Sequence, residues 1–494
     1  MINLLERAKD FKERTALVSN GRAYSYNTLG TASRNVAAAV LNGKSDLKEA
    51  RIAFLVPPSF EYTAVQWGIW AAGGIAVPLC VLHPLPSIQY VIEDTQATMV
   101  IVHPDFAGFL APLESVSKVS MVPLETILRE QTTPFPLPDI DKERRAMILY
   151  TSGTTSKPKG VVTTHTNIEA QITALVSSWE WQKDDYILNI LPLHHVHGII
   201  NVMSCALWSG ACCEFLPKFD AQVVWEIIGS GRLTVFMAVP TIYYKLIAFW
   251  EQAPVEVQKK MAESASKLRL MVSGSAALPV PVLEKWRDIT GQTLLERYGM
   301  TEIGMGLSNS YSGERRPGHV GLPLPSVHIR LVNADHNPVG QNEAGEIQIK
   351  GPSVFKEYWG KPEATKNAFT HDGWFKTGDI AMRNNGLYKI LGRDSVDIIK
   401  SGGYKISALE IEDVLRGHTA IDDCAVVGLP DVEWGEIIAA CLVTKDPNIE
   451  EIALSQWLKA RLPSYKIPRK FIFTKELPRN VLGKVTKNEV KNQF

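Results

Sequence analysis

The sequence predicts an α/β fold with a large amino-terminal domain and a small α+β carboxyl-terminal domain. First, apolar strand patterns alternate with helical ones, as where residues 51–56 precede a Pro-Pro turn and a helical pattern at 62–72. Second, the 494 residues exceed the ~150 of a typical domain, so they can build more than one core. Third, past about residue 390 the pattern changes to a compact unit with its own strands and helices.

The alternation continues through the large domain without an internal repeat or a low-complexity tract. Each further apolar run is followed by turn residues and then by a helical pattern, as expected of strands and their covering helices. The Pro-rich residues 133–139 are typical of an extended linker between two parts of this domain. Further strands are predicted at residues 99–102, 186–191, 235–238 and 268–272.

The carboxyl-terminal unit begins with a Gly-Arg-Asp turn and passes through the paired glycines Gly402 and Gly403. Ser407 and Glu410 have the spacing of a capping box, in which each side chain satisfies a backbone donor at the start of a helix. We expect this helix to end at Arg416. Strands are then predicted at residues 424–428, 437–443 and 471–473, with a helix at 449–461.

Charge and cysteine content exclude several classes of protein. The 52 Lys and Arg residues balance the 52 Asp and Glu residues, and no long run of like charge suggests a nucleic-acid or membrane-surface partner. The amino terminus lacks a secretory signal pattern, and no apolar run reaches the ~18 residues of a membrane span. The six cysteines show no CxxC spacing, so we expect reduced core residues and a cytoplasmic protein that acts on small molecules.

The loop at residues 150–160 has the composition of a phosphate-binding segment and follows an apolar strand. Its Ser and Thr hydroxyls, glycines and lysines offer side-chain donors, backbone amides and positive charge to a polyphosphate. It is not a Walker loop, because the Gly-Lys-Ser/Thr ending does not follow Gly153 at the required spacing. Composition alone would fit an exposed polar turn equally well, and the motifs further along the chain favour phosphate binding.

Six further motifs follow this loop in a fixed order, and the series resembles the adenylate-forming superfamily of acyl-CoA synthetases, luciferases and peptide-synthetase adenylation domains. The resemblance covers residues 150–484, whereas residues 1–149 match the superfamily only in size and in their alternation of strands and helices. The motifs are His194-His195-Val196-His197-Gly198, Ser273-Gly274-Ser275-Ala276-Ala277, Arg297-Tyr298-Gly299-Met300-Thr301-Glu302, Thr377-Gly378-Asp379, Gly392-Arg393 and a stretch from Pro478 to Lys484.

The resemblance implies an enzyme that activates a carboxylic acid with ATP and Mg²⁺ and then transfers the acyl group to coenzyme A. It implies an adenylate-forming domain at residues 1–392, a hinge at 393–397 and a mobile domain at 398–494. Lys484, Thr301 and Glu302 are expected to be catalytic, and the hard carboxylate of Glu302 suits magnesium. The expected ATP-binding residues are Thr151, Ser152, Gly153, Thr154, Thr155, Lys159, Ser275, Ala276, Tyr298, Gly299, Asp379 and Arg393.

The resemblance also implies individual roles within this set. Tyr298 resembles the residue that stacks on adenine, and Asp379, assisted by Arg393, resembles the acceptor for the ribose hydroxyls. After adenylation the small domain is expected to rotate, so that Gly402 and Gly403 replace Lys484 at the active site and shape the path of coenzyme A. The stretch after Arg393 is one residue longer than the common pattern, so the hinge is assigned only to a segment.

Arg297 is the unusual residue of the expected acyl pocket, where many members of the superfamily have a small or neutral residue. A guanidinium can hold a second carboxylate through two hydrogen bonds, and beside a fatty chain it would be an unpaired buried charge. Residues 273–278, 296–306 and 395–410 also resemble the malonyl-CoA synthetases, especially the eukaryotic organellar branch, although no leader of the organellar kind is expected. Malonate, or methylmalonate, is therefore the expected substrate, with Arg297, His195 and Ser273 as its expected contacts.

Three alternatives stay open from the sequence. An acyl-CoA synthetase for a medium-chain or aromatic monocarboxylic acid would pair Arg297 with a neighbour such as Glu296. An adenylation module that loads a carrier protein would differ in its acceptor, and a nucleotide-binding regulator would be expected to have lost Lys484 or Glu302. His197 fits a pocket role and a buried structural role equally well. We expect no stable protein partner and no metal beyond magnesium.

Overall fold

The computed structural model describes residues 2–114, 119–129, 135–151, 158–446, 449–480 and 483–494. The predicted α/β class is confirmed, because parallel strands alternate with helices through most of the chain. Among the described residues, three sheets lie before residue 394 and a further sheet is built only from residues after it. The predicted hinge at residues 393–397 falls between the last strand of the third sheet, Leu387–Arg393, and the first strand of the fourth, Ile398–Ser401.

The largest sheet carries several of the predicted site residues at the carboxyl ends of adjacent parallel strands. Ser273, the last residue of its strand, pairs with Glu296 of the next strand, so Arg297 lies at the same edge of the sheet. Such an edge is where α/β sheets commonly bind ligands. In spatial order the strands are Leu322–Pro323, Gly304–Ser308, Leu295–Met300, Leu270–Ser273, Val235–Ala238, Tyr186–Asn189, Cys212–Phe215, Thr15–Ser19 and Arg22–Ser25.

Two strands of the second sheet flank the predicted phosphate loop in sequence. Strands Arg145–Tyr150 and Gly160–Thr164 pair in antiparallel fashion, with Tyr150 opposite Gly160, so the loop closes a hairpin. Helix Phe60–Ala71 packs with this part of the chain and is buried along nearly its whole length, which explains its continuous apolar sequence. In spatial order the strands are Glu357–Tyr358, Gly160–Thr164, Arg145–Tyr150, Ile75–Pro78, Arg51–Leu55, Met99–Val102 and Ser120–Pro123.

The third sheet is antiparallel and ends at the predicted hinge. Its strands Phe375–Asn384 and Leu387–Arg393 place Asp379 directly opposite Arg393. The fourth sheet forms the core of the carboxyl-terminal unit with helices Ala408–Arg416 and Glu451–Lys459, which bury Leu415, Leu454 and Leu458 against it. The strands of the third sheet are His328–Val332, Ala344–Lys350, Phe375–Asn384 and Leu387–Arg393, and those of the fourth are Tyr404–Ser407, Ile398–Ser401, Gly435–Thr444, Ile421–Asp431 and Lys470–Thr474.

Side-chain caps mark the first turn of several helices. Ser59 accepts a hydrogen bond from the Tyr62 amide, and Asp220 caps helix Ala221–Gly229 through the amides of Gln222 and Val223. The α-helices are Asn3–Ala8, Tyr26–Leu41, Phe60–Ala71, Leu85–Thr95, Ala107–Glu114, Leu124–Leu128, His165–Ser178, Cys205–Ser209, Ala221–Gly229, Pro240–Gln252, Val255–Ser266, Val280–Thr290, Pro362–Ala368, Ala408–Arg416, Glu451–Lys459 and Lys487–Lys491. Short 3₁₀ helices are Lys9–Phe11, Pro104–Phe106 and Ser464–Lys466, and His197–Ser204 is a π-helix.

Some predicted local features differ from the structure. Half of the predicted capping box forms: Ser407 accepts from the Glu410 amide at 3.2 Å, but the Glu410 carboxylate pairs with Lys466 at 2.7 Å. The Lys466 ammonium is a stronger partner for this carboxylate than a backbone amide, because both groups are charged. The predicted strand at 186–191 ends at Asn189, and the predicted helix at 449–461 is Glu451–Lys459. Across the described part of the chain, no helix combines the length and apolar content that crossing a membrane requires.

Candidate active site

Tyr298, Asp379 and Arg393 come from two sheets and meet at one carboxylate. The Tyr298 hydroxyl donates to Oδ2 of Asp379 at 2.6 Å, and Nε of Arg393 donates to Oδ1 at 3.0 Å. Burial, together with the charge of Asp379, raises the pKa of Tyr298, so its hydroxyl stays protonated and remains a donor. These three residues, which we call the ribose cluster, therefore satisfy one another within the protein.

Glu302 is buried in the turn at residues 301–303, with Thr301 half-buried beside it. Oε1 of Glu302 accepts a hydrogen bond from the Tyr358 hydroxyl at 2.9 Å. Nζ of Lys159 lies 5.0 Å from the centre of the same Tyr358 ring, which is a cation–π distance. Tyr358 thus connects Glu302 to the end of the phosphate loop, a connection that the sequence did not predict.

The surroundings of Glu302 fit a magnesium ion that is shared with phosphates. Among the described residues, no group of three or more His, Cys, Asp or Glu side chains could enclose a metal. Magnesium usually binds one or two carboxylates, water and substrate phosphates, and does not need a cage made only of protein ligands. Burial raises the pKa of Glu302, so a nearby cation would favour its ionised form.

The phosphate loop is described only at its two ends. The Thr151 amide donates to the Lys159 carbonyl at 3.1 Å, which closes the base of the loop. The predicted phosphate contacts at Ser152, Gly153, Thr154 and Thr155 lie outside the described residues.

Helix Leu85–Thr95 holds both sides of that loop. The Tyr150 hydroxyl donates to Oδ2 of Asp94 at 2.6 Å, immediately before the loop. The Tyr90 hydroxyl donates to the Pro158 carbonyl at 2.9 Å, immediately after it. Because one helix contacts both ends, the loop begins and ends at a defined place, and this anchor was not predicted from the sequence.

Arg297 lies against the backbone of Gly274, one of the small residues of the predicted nucleotide site. A Cβ atom at Gly274 would lie 2.5 Å from Cζ of Arg297, so any larger residue would displace the guanidinium. The sequence predicted that small residues here admit adenine, and the structure adds that Gly274 admits Arg297. Ser275 has a left-handed backbone with φ of +69°, whereas Ala276 is exposed and open to a ligand.

The Arg297 guanidinium is buried without a carboxylate partner among the described residues. Its exposed fraction is 4%, and burial lowers its pKa to about 9, so it still carries its charge at neutral pH. The neighbour suggested as its partner, Glu296, instead accepts from the Gly318 amide at 3.1 Å. Burial raises the pKa of Glu296 to about 8, so this residue is mostly neutral at pH 7. The proposed pairing of Arg297 with Glu296 is therefore wrong.

A short hydrogen-bonded series orients Arg297. Its Nη2 donates to Oγ of Ser275 at 3.3 Å, and this Oγ lies 3.0 Å from Nδ1 of His197. Burial, followed by the charge of Arg297, lowers the pKa of His197, which is therefore neutral. If the Ser275 hydroxyl donates to Nδ1, the His197 proton lies on Nε2, at the first residue of the π-helix.

Several polar atoms of the predicted acyl-pocket residues and of their neighbours in sequence are buried without a hydrogen-bond partner among the described residues. Native proteins rarely leave buried donors and acceptors unsatisfied, so such a cluster indicates a polar ligand. Burial also lowers the pKa of His195, which lies 4.1 Å from His194 between ring centres and is neutral. The atoms are Nε of Arg297, Oγ of Ser273 and Nε2 of His194, His195 and His197.

Lys484 reaches this site from the carboxyl-terminal unit. The position of a Cβ at its neighbour Gly483 is 3.7 Å from Oγ1 of Thr241, so the segment touches the large domain. Desolvation beside the large domain, followed by the charges of Arg393 and Arg297, lowers the pKa of Lys484, although its side chain remains exposed to solvent. Its ammonium is thus within electrostatic reach of both the ribose cluster and the Arg297 pocket, and these three cations make the site suited to anions.

Comparison with known families agrees with this arrangement. A model described as AMP-binding enzyme matches residues 4–359, and a model of the AMP-binding enzyme C-terminal domain matches residues 410–484. The chain belongs to the AMP-binding enzyme family. The family match begins at residue 4, whereas the series of motifs found in the sequence begins at residue 150. The strands before residue 150 therefore also belong to the family fold.

Named relatives of this AMP-binding enzyme share its whole length. It is 44% identical to "Malonate--CoA ligase ACSF3, mitochondrial" of Xenopus laevis, over 100% of this chain and 92% of the relative. It is 32% identical to ATP-bound MatB from Rhodopseudomonas palustris, with a TM-score of 0.91 over 100% of this chain and 98% of that one. A malonyl-CoA ligase product complex with methylmalonyl-CoA and AMP, 33% identical over 97% and 100%, has a TM-score of 0.71.

The remaining predicted residues of this AMP-binding enzyme have clear places. Gly299 lies where a Cβ would approach the Gly304 carbonyl to 2.1 Å, so this hairpin requires glycine. Gly402 and Gly403 have φ of +56° and +83° and form a turn at which Gly402 packs against the Trp434 ring. The contact with Trp434 lies within the carboxyl-terminal unit, whereas Lys484 of that unit reaches the large domain.

Proposed function

We propose that this chain is an AMP-forming acid–thiol ligase that joins malonate to coenzyme A. Its substrates are the acid, ATP and coenzyme A, and its products are malonyl-CoA, AMP and pyrophosphate. Family membership and the named relatives support the reaction class, and the relatives at 43–44% identity carry the name malonate–CoA ligase. The main observation in favour of malonate is that the Arg297 guanidinium is buried and its charge is not compensated among the described residues.

The electrostatics of the pocket favour a diacid. A buried charge without a partner is costly, and a ligand carboxylate would compensate it through a charge-assisted, bidentate bond. Ser273 and His197 would add donors to the same carboxylate, because their buried polar atoms have no partner among the described residues. A medium-chain or aromatic monocarboxylic acid would leave all three groups unsatisfied.

In the first half-reaction, one carboxylate oxygen of malonate attacks the α-phosphorus of ATP. The bond from phosphorus to the bridging oxygen of pyrophosphate breaks, and that oxygen takes the electron pair. Lys484 would neutralise charge on the acid and the α-phosphate, while Tyr298, Asp379 and Arg393 would hold the nucleoside. Arg297 holds the other carboxylate away from phosphorus, so only one end of the acid reacts.

Thr301 and Glu302 would hold magnesium together with the ATP phosphates, and Thr151 and Lys159 would frame the phosphate loop. Magnesium would neutralise phosphate charge and favour the departure of pyrophosphate. Glu302 is buried and already oriented by Tyr358, so its carboxylate has a defined direction.

In the second half-reaction, the thiol sulfur of coenzyme A attacks the acyl carbon, and the bond from carbon to the AMP oxygen breaks. We propose that rotation about residues 393–397 replaces Lys484 with the Gly402–Gly403 turn at this stage. Two solved relatives of nearly equal identity support such a rotation. The chain matches the ATP-bound structure with a TM-score of 0.91 and the methylmalonyl-CoA and AMP complex with 0.71.

Methylmalonate is the second candidate acid, since it differs from malonate by one methyl group. A pocket distinguishes one methyl group by only ~1–3 kcal/mol, so both acids fit the charge argument. The ternary product complex of a related malonyl-CoA ligase holds methylmalonyl-CoA, the thioester of the larger acid.

The compartment stays a prediction. Cysteine usage favours the cytoplasm, whereas the named animal relatives are mitochondrial. Fractionation of cells that express the full-length protein, with markers for both compartments, decides between the two.

The proposed function is tested by measuring AMP formation with ATP, magnesium and coenzyme A across a panel of acids. The panel is malonate, methylmalonate, succinate, acetate, propionate and octanoate. We expect the highest kcat/KM for malonate or methylmalonate and at least about a tenfold lower value for the monocarboxylates, which corresponds to ~1.4 kcal/mol. A maximum at octanoate would contradict the proposal and favour a medium-chain acyl-CoA synthetase.

A further inference from the structure

The turn that carries Lys484 is fixed by the side chain of Arg479. The Asn480 amide donates to the Lys484 carbonyl at 2.9 Å, and the Lys484 amide donates to Oδ1 of Asn480 at 3.0 Å. Nη1 of Arg479 donates to the Gly483 carbonyl at 2.5 Å, and its Nη2 forms an ion pair with Asp423. Arg479 therefore holds the residue immediately before Lys484.

Asp423 continues into a series of charges inside the carboxyl-terminal unit. Nη2 of Arg416 lies 3.6 Å from Oδ1 of Asp423 and 3.5 Å from Oε2 of Glu412. Nζ of Lys487 lies 2.8 Å from Oε1 of Glu412, and these two side chains are only 7% and 4% exposed. Because solvent barely reaches this pair, its charges depend on one another for compensation.

The same Lys487 ammonium reaches the predicted hinge. Its Nζ lies 2.6 Å from Oδ1 of Asp397, and Oδ2 of Asp397 accepts from the Arg393 amide at 3.0 Å. A Cβ at Gly392, whose φ is +126°, would lie 2.4 Å from Cβ of Asp397, so the loop packs on a residue that must be glycine. The Arg393 side chain in turn binds Asp379 of the ribose cluster.

We propose that these ion pairs act as one unit, the ionic chain, which positions Lys484 for adenylate formation relative to the hinge. The proposal rests on the proposed function of Lys484. The ionic chain joins the Lys484 turn, a strand, two helices and the hinge loop, and its residues come from two separate parts of the sequence, 397–423 and 479–487. It consists of Arg479, Asp423, Arg416, Glu412, Lys487 and Asp397.

The position of the ionic chain distinguishes a positioning role from a purely structural one. Its residues from Glu412 to Lys487 lie in the small domain and move with it when that domain rotates, whereas Asp397 lies in the hinge itself. Lys484 is expected to serve only adenylate formation, and its exact placement is therefore irrelevant to the thioester step. Weakening the ionic chain should consequently slow one half-reaction and spare the other, whereas a loss of folded protein would lower both.

The first test is the Arg479→Gln variant, assayed separately for the two half-reactions. Since a displacement of about 1 Å can lower a rate about a hundredfold, we expect malonyl-AMP formation without coenzyme A to slow by about ten- to a hundredfold. Thioester formation from supplied malonyl-AMP should stay within about twofold of the wild type, because it does not use Lys484. Equal slowing of both half-reactions overturns the proposal.

Rescue and control variants complete this test. Arg479→Lys keeps the charge but loses the planar fork, so it should recover part of the lost adenylation rate. Arg330→Gln removes an arginine of similar exposure that pairs with Asp372 at 2.8 Å in the large domain, and it should leave the ratio of the two rates unchanged. Asp423→Asn, which keeps the side-chain shape, replaces Arg479→Gln if that variant does not fold, and the same shift in the ratio is expected.

A double variant tests whether the ion pairs act together. Arg479 and Asp397 lie at opposite ends of the ionic chain, and their individual effects should be additive if they are independent. We expect Arg479→Gln combined with Asp397→Asn to slow adenylation less than the product of the two single effects. Additive effects overturn the single-unit proposal.

Lys484→Ala separates failure of this inference from failure of the proposed function. Retained malonyl-AMP formation in Lys484→Ala would contradict the role of Lys484 itself, and with it the ionic chain. Lost adenylation in Lys484→Ala, together with an unchanged ratio in Arg479→Gln, would contradict only the ionic chain.

Discussion

The ribose cluster and the Arg297 pocket are both polar and each holds a buried charged residue, Asp379 or Arg297, but they differ in how these charges are compensated. In the ribose cluster, the Asp379 carboxylate receives hydrogen bonds from Tyr298 at 2.6 Å and from Arg393 at 3.0 Å. In the pocket, Arg297 donates only to Ser275, and its Nε has no partner among the described residues.

This difference indicates where each region obtains its specificity. The ribose cluster is oriented by its own hydrogen bonds, so it would present a fixed surface to the nucleotide proposed to bind there. The Arg297 pocket keeps an uncompensated charge, and a ligand carboxylate would gain most from satisfying it. Substitutions in the two regions should therefore change nucleotide use and acid choice separately.

The largest effect is expected at Lys484, whose charge reaches both regions. Lys484→Ala should slow malonyl-AMP formation by about a thousandfold or more, because it removes the cation at the reacting carboxylate and phosphate. Conversion of supplied malonyl-AMP to the thioester should continue at nearly the wild-type rate. The measurement is pyrophosphate release without coenzyme A, compared with thioester formation from the adenylate.

An equal loss of both half-reactions in Lys484→Ala would contradict a role of Lys484 in adenylate formation alone. It would mean that Lys484 supports the folded small domain and does not act on one chemical step. Thermal unfolding of the variant provides the control, since a pure effect on adenylation should leave the midpoint temperature nearly unchanged.

The sequence predicted the pairing of Asp379 with Arg393 but not the hydrogen bond from Tyr298, whose predicted role was to stack on adenine. Tyr298, Asp379 and Arg393 lie in short motifs whose residue types suit a nucleotide. The charge state of the pocket depends on partners that are distant in sequence. Arg297 and Glu296 are adjacent, yet successive side chains of a strand point to opposite faces, so the suggested pair could not form.

The second prediction concerns Arg297 and tests the acid pocket directly. Arg297→Ala removes a charge-assisted contact worth ~2–5 kcal/mol, so kcat/KM for malonate should fall by about thirty-fold to a few thousand-fold. Propionate and butyrate make no such contact, and their kcat/KM should hold or rise. Arg297→Lys should recover only part of the malonate activity, because an ammonium lacks the planar fork.

The change in kcat/KM has to be compared between malonate and the monocarboxylates, because the two explanations of Arg297 differ there. A uniform fall for every acid, with a raised KM for ATP, would mean that Arg297 supports the nucleotide loop and not the substrate. That outcome would contradict the dicarboxylate proposal and return the chain to a general acyl-CoA synthetase.

The third prediction changes the metal requirement and should leave acid choice alone. Glu302→Gln keeps the shape of the side chain and removes its charge, so half-maximal activity should need about ten- to a hundredfold more magnesium. Binding of AMP, which needs no metal, should change little, as calorimetry can show. Unchanged dependence on magnesium would contradict the assignment of Glu302.

Side-chain contacts between residues that are distant in sequence could not be predicted from the sequence. Tyr358 contacts Glu302, which precedes it by 56 residues, and Arg479 pairs with Asp423 at the same separation. Neither tyrosine nor arginine is unusual in its local sequence, and only the folded chain brings these residues together. The capping box at Ser407 and Glu410 was also predicted only in part, because Lys466 pairs with the Glu410 carboxylate.

The smallest predicted effect is that of Tyr358, which sharpens the comparison by weakening only the nucleotide side. Tyr358→Phe keeps the ring beneath Lys159 and removes the hydroxyl that donates to Glu302 at 2.9 Å. A hydrogen bond of this kind contributes ~0.5–1.5 kcal/mol, so the KM for magnesium-bound ATP should rise by about three- to tenfold. Tyr186→Phe is the matched control, because it removes a similar bond, from its hydroxyl to Glu214 at 2.8 Å, and should leave that KM unchanged. In both variants the ratio of kcat/KM for malonate to that for propionate should equal the wild-type ratio. A change of this ratio in Tyr358→Phe would show that the two regions are coupled, and acid choice could then no longer be assigned to the Arg297 pocket alone.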